Sequence, residues 1–159
     1  MTASILAWLH RIIRPRRLGH VFEIGALDVN GSARDALRTR ALSWEGCDRV
    51  PGPGVDVVGN AVHVIAGRTF DTVIACECYE HDPRFWETHA AAVAALRPGG
   101  LYVVTSPTIG FPFHDFGGDF YRFTEMAMRD VFLAGMDILD VATVGNPPGL
   151  CVAGAGLKR

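Results

Sequence analysis

From His20 onward short β-branched apolar runs alternate with helix-like stretches, a pattern that a chain satisfies by building a largely parallel sheet with helices on its faces. The first run is His20–Ile24 and a second covers about Ala41–Glu45. Val55–Val58 and Phe70–Cys76 follow, and Leu101–Thr105 (LYVVT) has no polar alternation, as a central strand buried on both faces should. Between them, Ser32 with Asp35 three residues on marks a helix start. Asp82 as N-cap and Pro83 at the first helical position open another helix, whose apolar face reads Phe85, Trp86, His89, Val93 and Leu96 and which Pro98-Gly99-Gly100 stops. Val50–Gly54 (VPGPG) reads as a loop, and Ser106–Phe123 is long, irregular and rich in Gly, Pro and aromatics, a composition associated with functional loops.

Thr124 caps a short helix through Phe132. Met136–Val144 and Leu150–Lys158 then read as two strands joined by Asn146-Pro147-Pro148-Gly149, a link too short for anything but an antiparallel pair. The expectation is an α/β Rossmann-like sheet of seven strands, mostly parallel, with helices on both faces and a C-terminal antiparallel hairpin strand.

With 159 residues, 49% of them hydrophobic, the chain suffices for one compact domain, expected over residues 19–159. Residues 1–18 form a separate element. Ile5, Leu6, Trp8, Leu9, Ile12 and Ile13 recur at helical spacing and Pro15 ends the pattern, while Arg11, Arg14, Arg16 and Arg17 give this stretch +4 against −2 for the whole chain. A basic amphipathic helix of this kind packs on the edge of a domain or meets an anionic membrane or nucleic acid. The net charge of −2 argues against a nucleic-acid fit over the whole surface. No apolar run approaches the roughly 20 residues of a membrane span.

Cys47, Cys76, Cys78 and Cys151 show neither zinc-site pairs nor the density of a disulfide scaffold, which points to thiols in a reducing, cytoplasmic setting and to no metal site. Cys76 and Cys78 are expected on one face of a strand.

Open α/β sheets bind ligands at the carboxyl ends of their strands. After the first strand, Gly25 lets the backbone approach a ligand, and Glu23 at the strand end could balance an ammonium. The glycines lack the GxGxxG spacing of a dinucleotide-phosphate turn, which disfavours a nicotinamide-dependent oxidoreductase. Asp48, 23 residues beyond Gly25, lies where a carboxylate accepts both hydroxyls of a ribose. Asn60 and Ala61 follow the third strand and offer an amide and a backbone N–H to an adenine edge.

Together these stretches resemble the class I S-adenosylmethionine-dependent methyltransferases, in a subgroup whose first motif reads ExGxxDxNGS. The matching segments are Glu23–Ser32, Trp44–Val58, Glu80–Trp86 (EHDPRFW), Leu96–Gly100 (LRPGG) and Asp119–Thr124 (DFYRFT). The resemblance implies S-adenosylmethionine as cofactor, with Glu23 and Gly25 facing its methionine part and Asn30 and Gly31 lining the same turn. It implies Asp48 on the ribose, Asn60 and Ala61 at the adenine, and Glu77 with Tyr79 beside the sulfonium. Asn60 stands where the family more often has Asp, and Gly59 where a bulkier residue is common.

The implied reaction is methyl transfer to a small-molecule acceptor, a sugar or other hydroxylated metabolite. His81, His114, Asp115 and Tyr121 are the candidates for taking a proton from it, while Arg122 and Tyr121 are placed to close the irregular loop over the site. The competing reading is a non-catalytic binding or assembly module that keeps the fold.

Overall fold

The computed structural model describes all residues, 1–159. Seven strands, β1 (Gly19–Ile24), β2 (Ala41–Asp48), β3 (Val57–Val58), β4 (Phe70–Cys76), β5 (Leu96–Pro107), β6 (Met136–Val144) and β7 (Cys151–Lys158), form one sheet in the order β3-β2-β1-β4-β5-β7-β6. The five from β3 to β5 are parallel to their neighbours. β7 inserts antiparallel between β5 and β6. This is the expected fold class, hairpin included.

Alternation along β5 divides the core. Tyr102 and Val104 point to one face and Leu101 and Val103 to the other, as a period of two requires. On the first face lie α3 (Ala61–Val64), α4 (Phe85–Ala95) and α5 (Glu125–Ala127), the last continued by a π-helical turn at Met128–Phe132. On the second lie α1 (Ala3–Ile13) and α2 (Ala33–Leu37). Small residues in β7 let the helices approach: a Cβ at Gly154 would meet Leu133 Cδ1 at 3.2 Å and Met128 Cβ at 3.3 Å.

The basic N-terminal helix packs on the domain. Ile5, Trp8, Leu9, Ile12 and Ile13 are buried against the second face, and Trp8 Nε1 and Arg11 both donate to Asp140 of β6 at 2.7 Å. Its arginines stay on the outer side because the apolar stripe is fully used. No helix is long and apolar enough to cross a membrane.

Several local expectations are corrected. α4 begins at Phe85 with Arg84 in the N-cap position, because the Asp82 carboxylate is taken up otherwise, accepting from the Arg84 N–H before the helix at 3.0 Å and from the Thr88 hydroxyl within it at 2.5 Å. Its inner face is Phe85 followed by Thr88, Ala92 and Ala95, small residues that let its later turns lie close to the sheet, and Trp86 is 52% exposed. Pro98-Gly99-Gly100 does not stop this helix. The chain already pairs with β4 at Leu96, and these three residues make a bulge that resets the register before Leu101 meets Thr72. β2 runs on to Asp48 and β3 is reduced to Val57–Val58. Finally, β4 ends at Cys76 and Glu77 turns left-handed at φ +52°, so Cys78 does not share a strand face with Cys76.

Candidate functional site

A cavity of about 510 Å³ opens at the carboxyl ends of β1, β2 and β4, the position at which open α/β sheets take ligands. Gly25 leaves β1 at φ +72°, and a Cβ there would lie 2.4 Å from Cys78 Cβ, so only glycine lets these two turns meet. Behind Gly25, the Ala26 N–H and its own N–H both donate to the Cys47 carbonyl at 3.0–3.1 Å and lock the end of β1 to β2.

Asp48 closes β2. Its Oδ2 accepts the Leu27 N–H at 3.1 Å and its Oδ1 the Val50 N–H at 3.2 Å, which tie the two loops together and hold the carboxylate at the cavity wall. Asn60 is the N-cap of α3, its Oδ1 accepting the Val62 N–H at 3.0 Å, and with Ala61 it lines the same cavity. Asn30 lines it as well, while Met1 and Thr2 complete the rim.

Not every expected residue reaches the cavity. Glu23 is buried, but its Oε2 accepts Trp44 Nε1 at 2.7 Å and it does not line the cavity. Burial pushes its carboxyl up to about 7, opposed by the Trp44 hydrogen bond. Gly31 lies outside the lining, in a turn that the Asp28 carboxylate holds by accepting its N–H at 2.7 Å. Tyr121 is outside too. Its hydroxyl donates to the Pro83 carbonyl at 3.0 Å, and its ring joins Phe85, Phe123 and Phe132 in an aromatic layer behind the wall, with centroids 4.9–5.6 Å apart. Asp115 accepts the Gly118 N–H at 2.8 Å at the surface.

Beyond β4 the chain carries three acid or imidazole groups into the cavity within five residues: Glu77, Glu80 and His81. Glu77 accepts the Thr105 hydroxyl at 2.9 Å and the Cys151 thiol at 3.2 Å. Burial raises its carboxyl above the usual range, against the pull of those two hydrogen bonds. A left-handed glutamate at a ligand cavity is backbone strain placed where it turns a side chain inward.

Glu80 is 0% exposed. Ser106 donates to its Oε2 at 2.8 Å, whereas Oε1 has no hydrogen-bond partner. Burial first, and then the charge of Glu77, raises this carboxyl as well. His81 donates from Nδ1 to the Gly118 carbonyl, and its ring meets that of His114 edge-on at 4.9 Å. His114 comes from the irregular chain between β5 and α5, which Arg122 holds in place. Arg122 grips both oxygens of Asp119 at 2.5 and 2.6 Å and donates to the carbonyls of Phe111, Pro112 and Tyr121. That hydrogen-bonded pairing keeps the Asp119 carboxyl far below the ordinary carboxylate range.

Glu80 was visible in the sequence only as part of EHDPRFW. The signal that could have singled it out is a second acid directly beside His81 at a strand-to-helix turn. Cys78, Arg49, Phe111 and Phe116 also line the cavity without a sequence signal of their own.

No family model and no curated protein sequence matches the chain. Solved structures do match in shape. The N-methyltransferase NodS of Bradyrhizobium japonicum WM9 aligns over 98% of this chain and 94% of its own at a TM-score of 0.74 and 14% identity. The 1,6-didemethyltoxoflavin-N1-methyltransferase of Burkholderia thailandensis, with that compound and S-adenosylhomocysteine bound, aligns over 97% and 76% at 0.73 and 20% identity. Magnesium protoporphyrin IX methyltransferase of Synechocystis PCC 6803, with S-adenosylmethionine bound, aligns over 98% and 76% at 0.65 and 15% identity. The chain has the fold of the S-adenosylmethionine-dependent class I methyltransferases.

Proposed function

We propose that the cavity binds S-adenosylmethionine and that the protein methylates a small-molecule acceptor. The observation that carries this reading is the convergence of Gly25, Asn30, Asp48, Asn60, Ala61 and Glu77, from four strand ends, on one cavity. The bound S-adenosylmethionine and S-adenosylhomocysteine of the similar structures support it.

The residues fit such a ligand. Two of the roughly four acceptor positions of the Asp48 carboxylate are used by backbone amides, which leaves two for vicinal ribose hydroxyls. Asn60 spends its oxygen on the α3 cap and keeps its NH2 for an adenine edge beside Ala61. Gly25 and Asn30 border the methionine part. Glu23 acts from behind the wall, fixing Trp44. Glu77 lies next to the sulfonium, where a cation draws a buried carboxyl back to its ionised form.

S-adenosylmethionine supplies a methyl group already activated on a cationic sulfur. What the protein adds is orientation and exclusion of water. The acceptor enters between Phe111, His114 and Phe116, and a hydroxyl or amine there has His114 and His81 within the same chamber to take its proton. Tyr121, bonded to Pro83, shapes the wall instead.

Calorimetric titration with S-adenosylmethionine and S-adenosylhomocysteine, with NAD as control, tests this reading. Saturable one-site binding of the first two is expected. No binding by a folded sample would overturn it in favour of a non-catalytic module.

A further inference from the structure

We propose that Glu80, His81 and His114 hold a divalent first-row transition-metal ion at the acceptor end of the cavity. One ligand atom from each lies within 4.8 Å of the other two, and all three residues line the cavity.

Two features of the cluster ask for a cation. His81 uses Nδ1 to donate to the Gly118 carbonyl, so in the neutral ring Nε2 carries a lone pair, and it faces Glu80 Oε1 at 3.7 Å. That oxygen is the one without a partner on a fully buried carboxylate. The two atoms therefore face each other beyond hydrogen-bond reach, and Oε1 finds no other partner in the protein. A buried polar atom left in this state is costly.

The surroundings also have the form that metal-binding histidines need. The other ring nitrogen of His81 is fixed by a carbonyl, and Nδ1 of His114 lies 3.5 Å from Asp119 Oδ2, which Arg122 anchors. A carbonyl behind the ring sets the tautomer and orientation of His81, while Asp119 places His114 by accepting its backbone N–H and leaves its buried Nδ1 without a hydrogen-bond partner.

A tetrahedral ion with ligands at about 2.1 Å holds them about 3.4 Å apart. Binding thus draws the longest edge in by at most about 1.4 Å, a movement that falls to His114 on its irregular segment. Two imidazoles and one carboxylate suit zinc, iron(II), cobalt or nickel over calcium or magnesium, and leave coordination positions open. This assignment stands on the side-chain cluster alone. The role of the ion rests on the methyl-transfer reading: an acceptor hydroxyl bound at an open position is acidified and releases its proton to solvent water, and the histidines then serve as ligands instead of proton acceptors.

The test titrates chelator-stripped full-length protein with Zn2+ at neutral pH, by calorimetry and by NMR of the imidazole nitrogens. One equivalent is expected to bind, with the signals of two of the six histidines, His81 and His114, shifting. His81→Ala and His114→Ala should each weaken zinc at least tenfold. Absence of stoichiometric binding, unchanged affinity in both folded variants, or shifts confined to other histidines would overturn the proposal. The NMR result decides without any variant should the substitutions impair folding. Titrating the metal-free protein with S-adenosylhomocysteine probes the methyl-transfer reading separately, so either can fail alone.

Discussion

Trp44 Nε1 donates to Glu23 Oε2 at 2.7 Å across neighbouring strands, and this one hydrogen bond is the direct partner of a carboxyl that burial holds at about 7 instead of 4.5. The charged groups facing Glu23 are Arg34, which favours its ionised form, and Asp56 and Asp28, which oppose it. A carboxyl raised in the folded state binds its proton more tightly there than in the unfolded chain. Its contribution is therefore complete below pH 4.5 and is lost as pH rises to about 7. The shift corresponds to about 3 kcal/mol. Glu23→Gln, which keeps an acceptor for Trp44 and cannot ionise, should gain stability over the wild type as pH rises from 5 to 8. Urea unfolding of both proteins at the two pH values measures this, and parallel curves would refute it.

Asp48→Ala should weaken S-adenosylhomocysteine binding by about 1–3 kcal/mol, because hydroxyls in a half-buried site lose a charged acceptor. The same substitution frees the Leu27 and Val50 amides, so a modest drop in melting temperature accompanies it. Calorimetry checks the first effect. Wild-type affinity would reduce Asp48 to a loop staple.

Gly25→Ala combines a left-handed backbone with a Cβ 2.4 Å from Cys78 Cβ, an atom that cannot swing aside without moving the turn after β4. A loss of about 2–4 kcal/mol is expected. Because that turn carries Glu77 and Glu80, ligand binding should fall further than stability does. Chemical denaturation and a cofactor titration on the same sample separate the two.

Local patterns explain how much of this was readable beforehand. LYVVT could only be a central strand, and Ser32 and Thr124 cap the helices their spacing indicated. The order of strand ends then brings Gly25, Asp48 and Asn60 together without further information. What could not be read depends on distant partners. Asp82 has the residue type of an N-cap, yet its carboxylate serves Arg84 and Thr88, and Pro98-Gly99-Gly100 has the composition of a helix stop, yet the sheet recruits it as a bulge. Glu23 reads as a ligand-facing acid until Trp44 is seen to take its oxygen. The meeting of Glu80 with His114 depends on how the chain between β5 and α5 folds back, and no periodicity encodes that path.

Arg122 governs that path. Its guanidinium makes a bidentate pair with Asp119, whose side chain is 1% exposed, and reaches three backbone carbonyls of residues 111–121. Asp119 in turn accepts the His114 N–H at 2.9 Å, so one side chain sets where the imidazole stands. A lysine keeps the charge and loses the planar fork, so Arg122→Lys cannot hold both oxygens and three carbonyls at once. Global stability should change little, since the sheet and both cores lie elsewhere. The His114 amide should instead exchange with solvent many times faster, and limited proteolysis should cut within residues 111–118 in the variant before the wild type. Hydrogen exchange read at the His114 N–H distinguishes this local release from general unfolding, because amides in the centre of β5 stay protected in the first case and exchange in the second. Unchanged protection at His114 would mean that Asp119 is held by its backbone surroundings without the guanidinium.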